Sequence, residues 1–172
     1  NVDRLLKSPA SQRGRDFAIM LASLANLGYL VEWLVVNAAD YGMPQRRRRV
    51  FILGYRNDTD IAREMSDSEP EDWLGSSGIL ARAFPGKTLG APSFMPLSLG
   101  RDLAAISDGF NSSPNTSLAS PFKTSGLLMG REVHVRDRMP EYSGDRMTLG
   151  DVVQETAVDE EFYISDEKLE KW

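Results

Sequence analysis

The sequence contains no cysteine among its 172 residues. This absence excludes disulfides, thiolate zinc sites and a cysteine nucleophile within the chain. The single histidine, His134, leaves little material for a histidine metal site or a Ser-His-Asp triad. Residues 131–135 alternate in polarity as a strand does, so we interpret His134 as a strand side chain rather than a catalytic group. We therefore expect no bound metal.

Long hydrophobic runs are also missing. No stretch approaches the ~18 consecutive apolar residues that a membrane span requires. The N-terminus lacks the basic and apolar regions of a secretory signal, and it carries no initiator methionine. We expect a cytoplasmic protein without a membrane partner, and a chain that begins inside a longer protein.

Charge is distributed unevenly along the chain. The total is 20 basic and 25 acidic residues, a net charge of −5. Residues 1–56 carry a net +5, whereas residues 57–172 carry a net −10. An anionic partner would therefore find positive potential on the first third of the chain.

The first third shows an alternation of structural signals. Apolar residues at three- and four-residue spacing predict a helix over residues 13–27, ended by Gly28. The β-branched and aromatic run 29–36 predicts a strand, and the turn formers of 37–44 predict a connection. The apolar run 49–55 predicts a second, buried strand. This order is typical of the margin of an α/β sheet.

Other segments carry weaker signals. Residues 3–12, with their proline and polar side chains, predict a loop. Proline and glycine interrupt residues 84–125, which indicates a loop-rich, mixed α+β region of short elements. Because the composition turns acidic after Arg56, we divide the chain into units 1–56 and 57–172.

Short helices are predicted within the second unit. Residues 97–106 indicate a short helix and residues 148–153 a helical turn. Ser165 is a suitable N-cap for a last helix over residues 166–172.

Four consecutive arginines, Arg46 to Arg49, stand between the predicted connection and the second strand. They cannot all enter a core, because each guanidinium stays ionised and needs partners. If the strand begins near Arg47, alternation places Arg47 and Arg49 on one face and Arg46 and Arg48 on the other. Such a pair suits bidentate recognition of phosphate or carboxylate. As a bare pattern the run favours a solvated basic patch or a processing signal, but an apolar strand follows it directly.

The segment from Asn37 through Pro44-Gln45 and the arginines to Gly54 resembles the Gln-x-Arg-x-Arg block of DNA cytosine-5 methyltransferases. Asn1-Val2 resembles the end of the family's Glu-Asn-Val motif. Three later segments are similar to the variable region of bacterial members: residues 121–126, 148–153 and 162–165. The resemblance implies that residues 1–56 are the end of the catalytic domain and that residues 57–172 are most of the target recognition region, which determines DNA specificity.

The resemblance implies a specific chemistry. Family members flip a cytosine out of duplex DNA, attack its C6 with a cysteine thiolate and transfer a methyl group from S-adenosylmethionine to C5. Arg49 and Arg47 would bind the cytosine O2 and the nearby backbone, and so stabilise charge that develops in the ring. Gln45 would brace the turn, and Asn1 would orient the catalytic loop.

The resemblance also implies what this chain lacks. The family's cysteine loop and glycine-rich cofactor loop would both precede residue 1. We therefore expect the margin of a Rossmann-like methyltransferase sheet, a cofactor site mostly outside the chain, and no activity of the fragment alone. Its exposed sheet edge would invite pairing with a second copy.

The remaining DNA contacts are predicted from charge. Arg46 and Arg48 match no specified family position, and we interpret them either as supporting the neighbouring arginines or as facing phosphate. Arg131, Arg136 and Arg138 form the best candidate basic surface of the second unit, although the same residues fit solvated charges beside neighbouring acids. The Ser/Asn-rich stretch 111–120 fits either base-edge hydrogen bonds or a loop.

Two other interpretations stay open at this point. The chain could be a non-catalytic DNA-binding or interaction module that retains the arginine block. It could also be an α/β domain whose arginines only cover its surface. Loss of methyl transfer on substitution of Arg47 and Arg49 would separate the enzyme from both.

Overall fold

A computed structural model of the chain describes residues 2–96, 101–111 and 120–169. The helices are α1 (Val2–Lys7), α2 (Arg15–Asn26), α3 (Asp60–Asp67), α4 (Pro70–Asp72), α5 (Ile79–Ala83), α6 (Leu103–Asn111) and α7 (Asp166–Leu169). The strands are β1 (Tyr29–Asn37), β2 (Arg48–Arg56), β3 (Gly86–Pro96), β4 (Ser125–Met129) and β5 (Glu132–Pro140). Single helical turns span Ala38–Tyr41, Trp73–Ser77, Gly150–Val152 and Glu160–Phe162.

The five strands form one sheet in the order β2-β1-β4-β5-β3. Each neighbouring pair is antiparallel. Strand β1 pairs with β2 along its whole length, from Tyr29 opposite Arg56 to Asn37 opposite Arg48, and with β4 on its other side. Strands β2 and β3 are therefore the two edges of the sheet.

One face of the sheet is covered by α1, α2 and α6. Helix α2 is amphipathic, as its spacing predicts, and it buries Phe17 and Leu21 completely. Phe17 meets Trp33 of β1 and Phe122 edge to face, with ring centroids 5.2 and 4.8 Å apart. A Cβ at Gly126 would lie 2.2 Å from the Trp33 ring, so only glycine fits opposite the indole.

The opposite face is covered by the segment from α3 to α5. Leu30 and Leu127 pack against Met65 and Trp73, and Leu34 packs against Leu80. Strand β1 is therefore buried on both faces, which explains why its sequence is apolar almost throughout.

Most predictions for the first third are confirmed. The helix, the strand and the connection lie at residues 15–26, 29–37 and 38–41, and Gly28 has a φ of 79° just after the helix. Leu27 is 70% exposed, because the helix ends before it and its side chain does not join the apolar face. In the second unit, Gly150–Val152 confirms the predicted turn and α7 confirms the last helix over its described residues.

Four predictions are wrong or only partly met. The loop predicted over residues 3–12 overlaps α1 (Val2–Lys7), because Leu6 is buried against the core and stabilises this short helix. Strand β2 is an edge strand, with Phe51 42% exposed rather than buried. The loop-rich region contains the 11-residue β3, which tolerates its prolines and glycines because it lies at a sheet edge. The helix predicted over residues 97–106 begins at Leu103, and residues 97–100 lie outside the described part.

The mixed α/β composition is confirmed. Parallel strand pairing, which characterises Rossmann-like sheets, does not occur among the described strands, so the Rossmann-like assignment stays a prediction for the whole protein. The sheet contains strands from both predicted units, since β1 hydrogen-bonds to β4. The division at residue 56 also stays a prediction.

Candidate nucleic-acid interface

The connection between β1 and β2 fixes the position of the arginine run. The amide of Ala38 donates to the Arg47 carbonyl at 3.1 Å, and the Asn37 side chain donates to Asp40 at 3.1 Å. Gly42 closes the turn with a φ of 85°. A Cβ at this position would lie 2.5 Å from the Asp145 carbonyl oxygen, so both the backbone conformation and the space require glycine.

Neighbouring segments hold this connection from outside. The Gly42 carbonyl accepts a hydrogen bond from the Met147 amide at 2.9 Å. The Tyr41 hydroxyl donates to the Pro85 carbonyl at 3.1 Å, and burial raises the pKa of this phenol, which keeps it protonated. The arginine run therefore begins from a turn fixed on two sides.

The arginine groove is the concave surface that follows this turn. It has a volume of about 590 Å³ and is lined by Asn37, Gln45 and the four arginines Arg46 to Arg49. The side chains of residues 45–49 are all exposed. Within the described ranges, the side chains of Gln45, Arg46 and Arg47 make no hydrogen bond or ion pair. Arg49 donates from Nη1 to the Arg48 carbonyl at 2.7 Å.

The structure brings all four arginines to this one groove. Strand β2 begins at Arg48, one residue later than the prediction assumed, and Arg49 lies opposite Val36 of β1. All four arginines line the groove, so the lining does not test the expected separation of the arginines into two faces. The roles assigned to Arg47 and Arg49 stay predictions.

The other three predicted DNA-contacting arginines lie elsewhere. Arg131, in the turn between β4 and β5, donates to Asn26 at the end of α2 at 3.0 Å. The Arg136 side chain is only 12% exposed; it lies 3.6 Å from a carboxylate oxygen of Glu71 and donates to Thr88. Its partners lie on the sheet face opposite α2.

Arg138 is bound by backbone carbonyls of the helical segment. It donates to the carbonyls of Leu74 and Ala81, the latter at 3.2 Å, and so connects β5 to the helical segment above the sheet. Burial lowers the pKa of its guanidinium, although an arginine in a protein remains charged. The structure thus does not gather Arg131, Arg136 and Arg138 into one surface, and their DNA-binding role stays a prediction.

Some predicted residues lie outside the described part. Asn1 is one of these, and so is almost all of the Ser/Asn-rich stretch 111–120. Within the described ranges, no three side chains of the metal-binding types gather into a group. None of the helices there has the length and apolar character that a membrane crossing requires.

Sequence reasoning missed Asn37 as a groove residue. Its Oδ1 is buried and has no hydrogen-bond partner among the described residues. It is therefore an acceptor next to the arginines that a ligand's N–H could satisfy. Its place at the end of β1, opposite Arg48, was the available signal.

Comparisons with known proteins identify a family and several relatives. A family model described as C-5 cytosine-specific DNA methylase matches residues 1–171. The type II methyltransferase M.Sau3AI of Staphylococcus aureus is 41% identical over 173 residues, covering 100% of this chain and 40% of that protein. The type II methyltransferase M.NlaIV of Neisseria lactamica is 34% identical over 80 residues, covering 46% of this chain and 19% of that protein.

A third relative matches a shorter stretch. The type II methyltransferase M.MthTI of Methanothermobacter thermautotrophicus is 49% identical over 49 residues, covering 28% of this chain and 15% of that protein. No solved structure matches the chain. The chain spans 40% or less of the length of these relatives. Because one family model covers nearly every residue, the chain belongs to the C-5 cytosine-specific DNA methylase family.

Proposed function

We propose that the whole protein transfers a methyl group from S-adenosylmethionine to C5 of a cytosine flipped out of duplex DNA. This chain would supply the arginine groove that receives the extruded base and the adjacent backbone. Flipping is required because the ring carbons are inaccessible within the base stack. The chain lacks the cysteine that this chemistry needs, so we expect the fragment alone to be inactive.

One observation carries the proposal: four exposed arginines line a single groove in a chain that matches the family over residues 1–171. Guanidinium groups donate hydrogen bonds in a planar fork that fits carbonyl and phosphate oxygens. Arg46 and Arg47 have no carboxylate partner within the described ranges. Their charge is therefore available to a nucleic acid.

Each site residue predicted from the family resemblance has a role in this proposal. Arg47 and Arg49 bind the cytosine O2 and the neighbouring backbone, and their positive charge stabilises electron density pushed into the ring. Gln45 braces the turn, and Asn1 orients the catalytic loop. Arg46 and Arg48 face phosphate groups.

The arginine groove does not fit the cofactor. S-adenosylmethionine carries a permanent positive charge on sulfur, and four guanidinium groups would repel it. We therefore place the cofactor site mostly outside this chain and assign no residue here to it.

The biological setting follows from the relatives. M.Sau3AI and M.NlaIV are type II methyltransferases. We propose that the present protein likewise belongs to a type II restriction-modification system, in which it would act in the cytoplasm.

The proposal is tested by charge removal in the full-length protein. We expect Arg47→Ala with Arg49→Ala to lower methyl transfer to duplex DNA at least tenfold, about 1.4 kcal/mol of transition-state stabilisation. The measurement is transfer of labelled methyl groups at saturating cofactor. Arg63→Ala is the matched control, because Arg63 is exposed on α3 and pairs only with acidic and carbonyl groups of its own segment.

The result separates the three interpretations. Near-normal methyl transfer by the double variant would contradict the proposed role and favour arginines that only cover the surface. DNA binding with no methyl transfer by the unaltered full-length protein would favour a non-catalytic module. Selective loss in the double variant, with Arg63→Ala unchanged, supports the proposal.

A further inference from the structure

A second basic cavity adjoins the arginine groove. It has a volume of about 390 Å³, within the range of pockets that take small ligands. Four basic side chains line it: Lys7 at the end of α1, Arg13 before α2, Arg48 at the start of β2, and Lys123 before β4. Because Arg48 lines both this cavity and the arginine groove, the two sites are adjacent.

In the described part of the chain, Arg13 has a buried hydrogen-bond donor without an acceptor within this cavity. Its Nε is buried and makes no hydrogen bond among the described residues. An ionised donor that is removed from water and left unpaired costs free energy. An anion bound in the cavity would supply the missing acceptor.

The single acid that lines the cavity, Asp137, is engaged locally. Its Oδ1 accepts from the Thr124 amide at 3.3 Å and from the Thr124 hydroxyl at 3.4 Å. Its Oδ2 lies 3.7 Å from the Lys123 ammonium, and both side chains are close to half exposed. Such a long, solvated ion pair is weak, so Lys123 can turn to a phosphate at little cost.

We propose that this cavity binds a backbone phosphate of the DNA duplex, next to the phosphates and base held by the arginine groove. The inference rests on the proposed function, because it takes DNA as the ligand. Arg13 and Lys123 are the phosphate-binding side chains, and Arg48 connects the two sites. Contacts of this kind fix the position of the duplex without reading its sequence.

The test is the salt dependence of DNA binding by the full-length protein. Fluorescence anisotropy with an unmethylated duplex gives the binding constant over a series of salt concentrations. The slope of log K against log[salt] is negative. We expect Arg13→Gln and Lys123→Gln each to make it less steep by about 0.9, the value for one lost phosphate contact. The loss of affinity should be the same for target and unrelated duplexes.

Two control variants keep the test independent of folding. Lys168→Gln removes an exposed charge on α7 that lines neither site, and it should leave the slope unchanged. Arg13→Lys keeps the charge and should retain most of the slope. Lys123→Gln alters a partly exposed side chain, so it tests the site even if Arg13→Gln unfolds the protein.

The outcomes are distinguishable from those of the proposed function. Unchanged slopes for Lys123→Gln and for folded Arg13→Gln, or an equal change in Lys168→Gln, overturn the phosphate site. If these results overturn the phosphate site while Arg47→Ala with Arg49→Ala still lowers methyl transfer, the proposed function is retained without the phosphate site. Absence of any duplex binding overturns both. Stabilisation of the protein by inorganic phosphate without a slope change indicates a free-anion site, and also overturns the assignment to DNA.

Discussion

At the scale of single residues, Glu32 is the least expected side chain of the sheet. It is a carboxylate in the middle of β1 and only 3% exposed. Trp73 Nε1 donates to its Oε2 at 3.0 Å, the Leu80 amide donates to its Oε1 at 3.3 Å, and the Tyr55 hydroxyl donates as well. Glu32 therefore accepts hydrogen bonds from donors in three different elements, which explains why an acid is tolerated there.

Burial raises the pKa of Glu32 above its usual 4.5, against the opposing effect of its hydrogen bonds. When the pKa of an acid is higher in the folded state than in the unfolded state, the acid contributes most stability at a pH below its unfolded-state pKa. That contribution is lost as the pH rises through its folded-state pKa. We expect Glu32→Gln to gain free energy of unfolding relative to the unaltered chain between pH 4.5 and pH 7. Urea unfolding at the two pH values measures this difference.

Glu64→Gln serves as the control for this titration, since Glu64 is exposed on α3. Its stability difference from the unaltered chain should vary much less over the same range. A difference for Glu32→Gln that stays constant with pH would contradict the raised pKa.

The environment of Glu32 could not be predicted from sequence. Local reasoning places it correctly in a strand, but its partners are 23, 41 and 48 residues away along the chain. The arginines show the opposite case. Their position at the start of a strand follows from local turn and strand signals. The gathering of all four in one groove does not follow from those signals, and the contacts of Arg138 also depend on distant carbonyls.

At the scale of elements, the turn after β1 controls how the arginines are presented. Gly42 combines a left-handed backbone with close approach to Asp145. We expect Gly42→Ala to cost about 1–3 kcal/mol, because alanine is strained at this φ and its Cβ has no space. The unfolding temperature of the full-length protein and its rate of methyl transfer should both fall.

Gly75→Ala provides a matched comparison. Gly75 has no atom within 4 Å of an added Cβ, and its φ is not positive. This variant should unfold at about the same temperature as the unaltered protein. Equal behaviour of the two variants would show that the turn does not need glycine.

Elements were predictable where local pattern and packing agree. Helix α2 has apolar residues on one face and meets the core with them. Helix α1 was missed because its six residues carry too little periodic pattern, and the contact of Leu6 with the core stabilises it. Strand β3 was missed because proline and glycine disfavour a strand in local sequence patterns. At the edge of a sheet, a proline's missing backbone donor can face solvent, so these residues are tolerated there.

At the scale of the whole molecule, β2 forms one edge of the sheet, and no described strand pairs with its outer side. Unpaired backbone groups at such an edge bind another strand readily. We expect residues 1–172, expressed alone, to associate reversibly into dimers with rising concentration, as sedimentation would show. Phe51→Lys should weaken association at least about tenfold, because charged side chains discourage edge pairing.

Leu169→Lys is the control for this association, since Leu169 is exposed on α7 and outside the sheet. It should leave the dimer unchanged. A chain that stays monomeric at high concentration, with its fold intact, would contradict pairing through this edge.

The central place of β1 has a consequence for exchanging DNA specificity between relatives. Strand β4 lies in the predicted target recognition region, yet it pairs with β1, which precedes the arginine run. In a chimera whose exchanged segment begins after Arg56, β1 and β4 would come from different proteins. The close fit of Gly126 against Trp33 would then have to form between strands that do not match each other. Chimeras joined before Tyr29 would carry both partners together and should tolerate the exchange better.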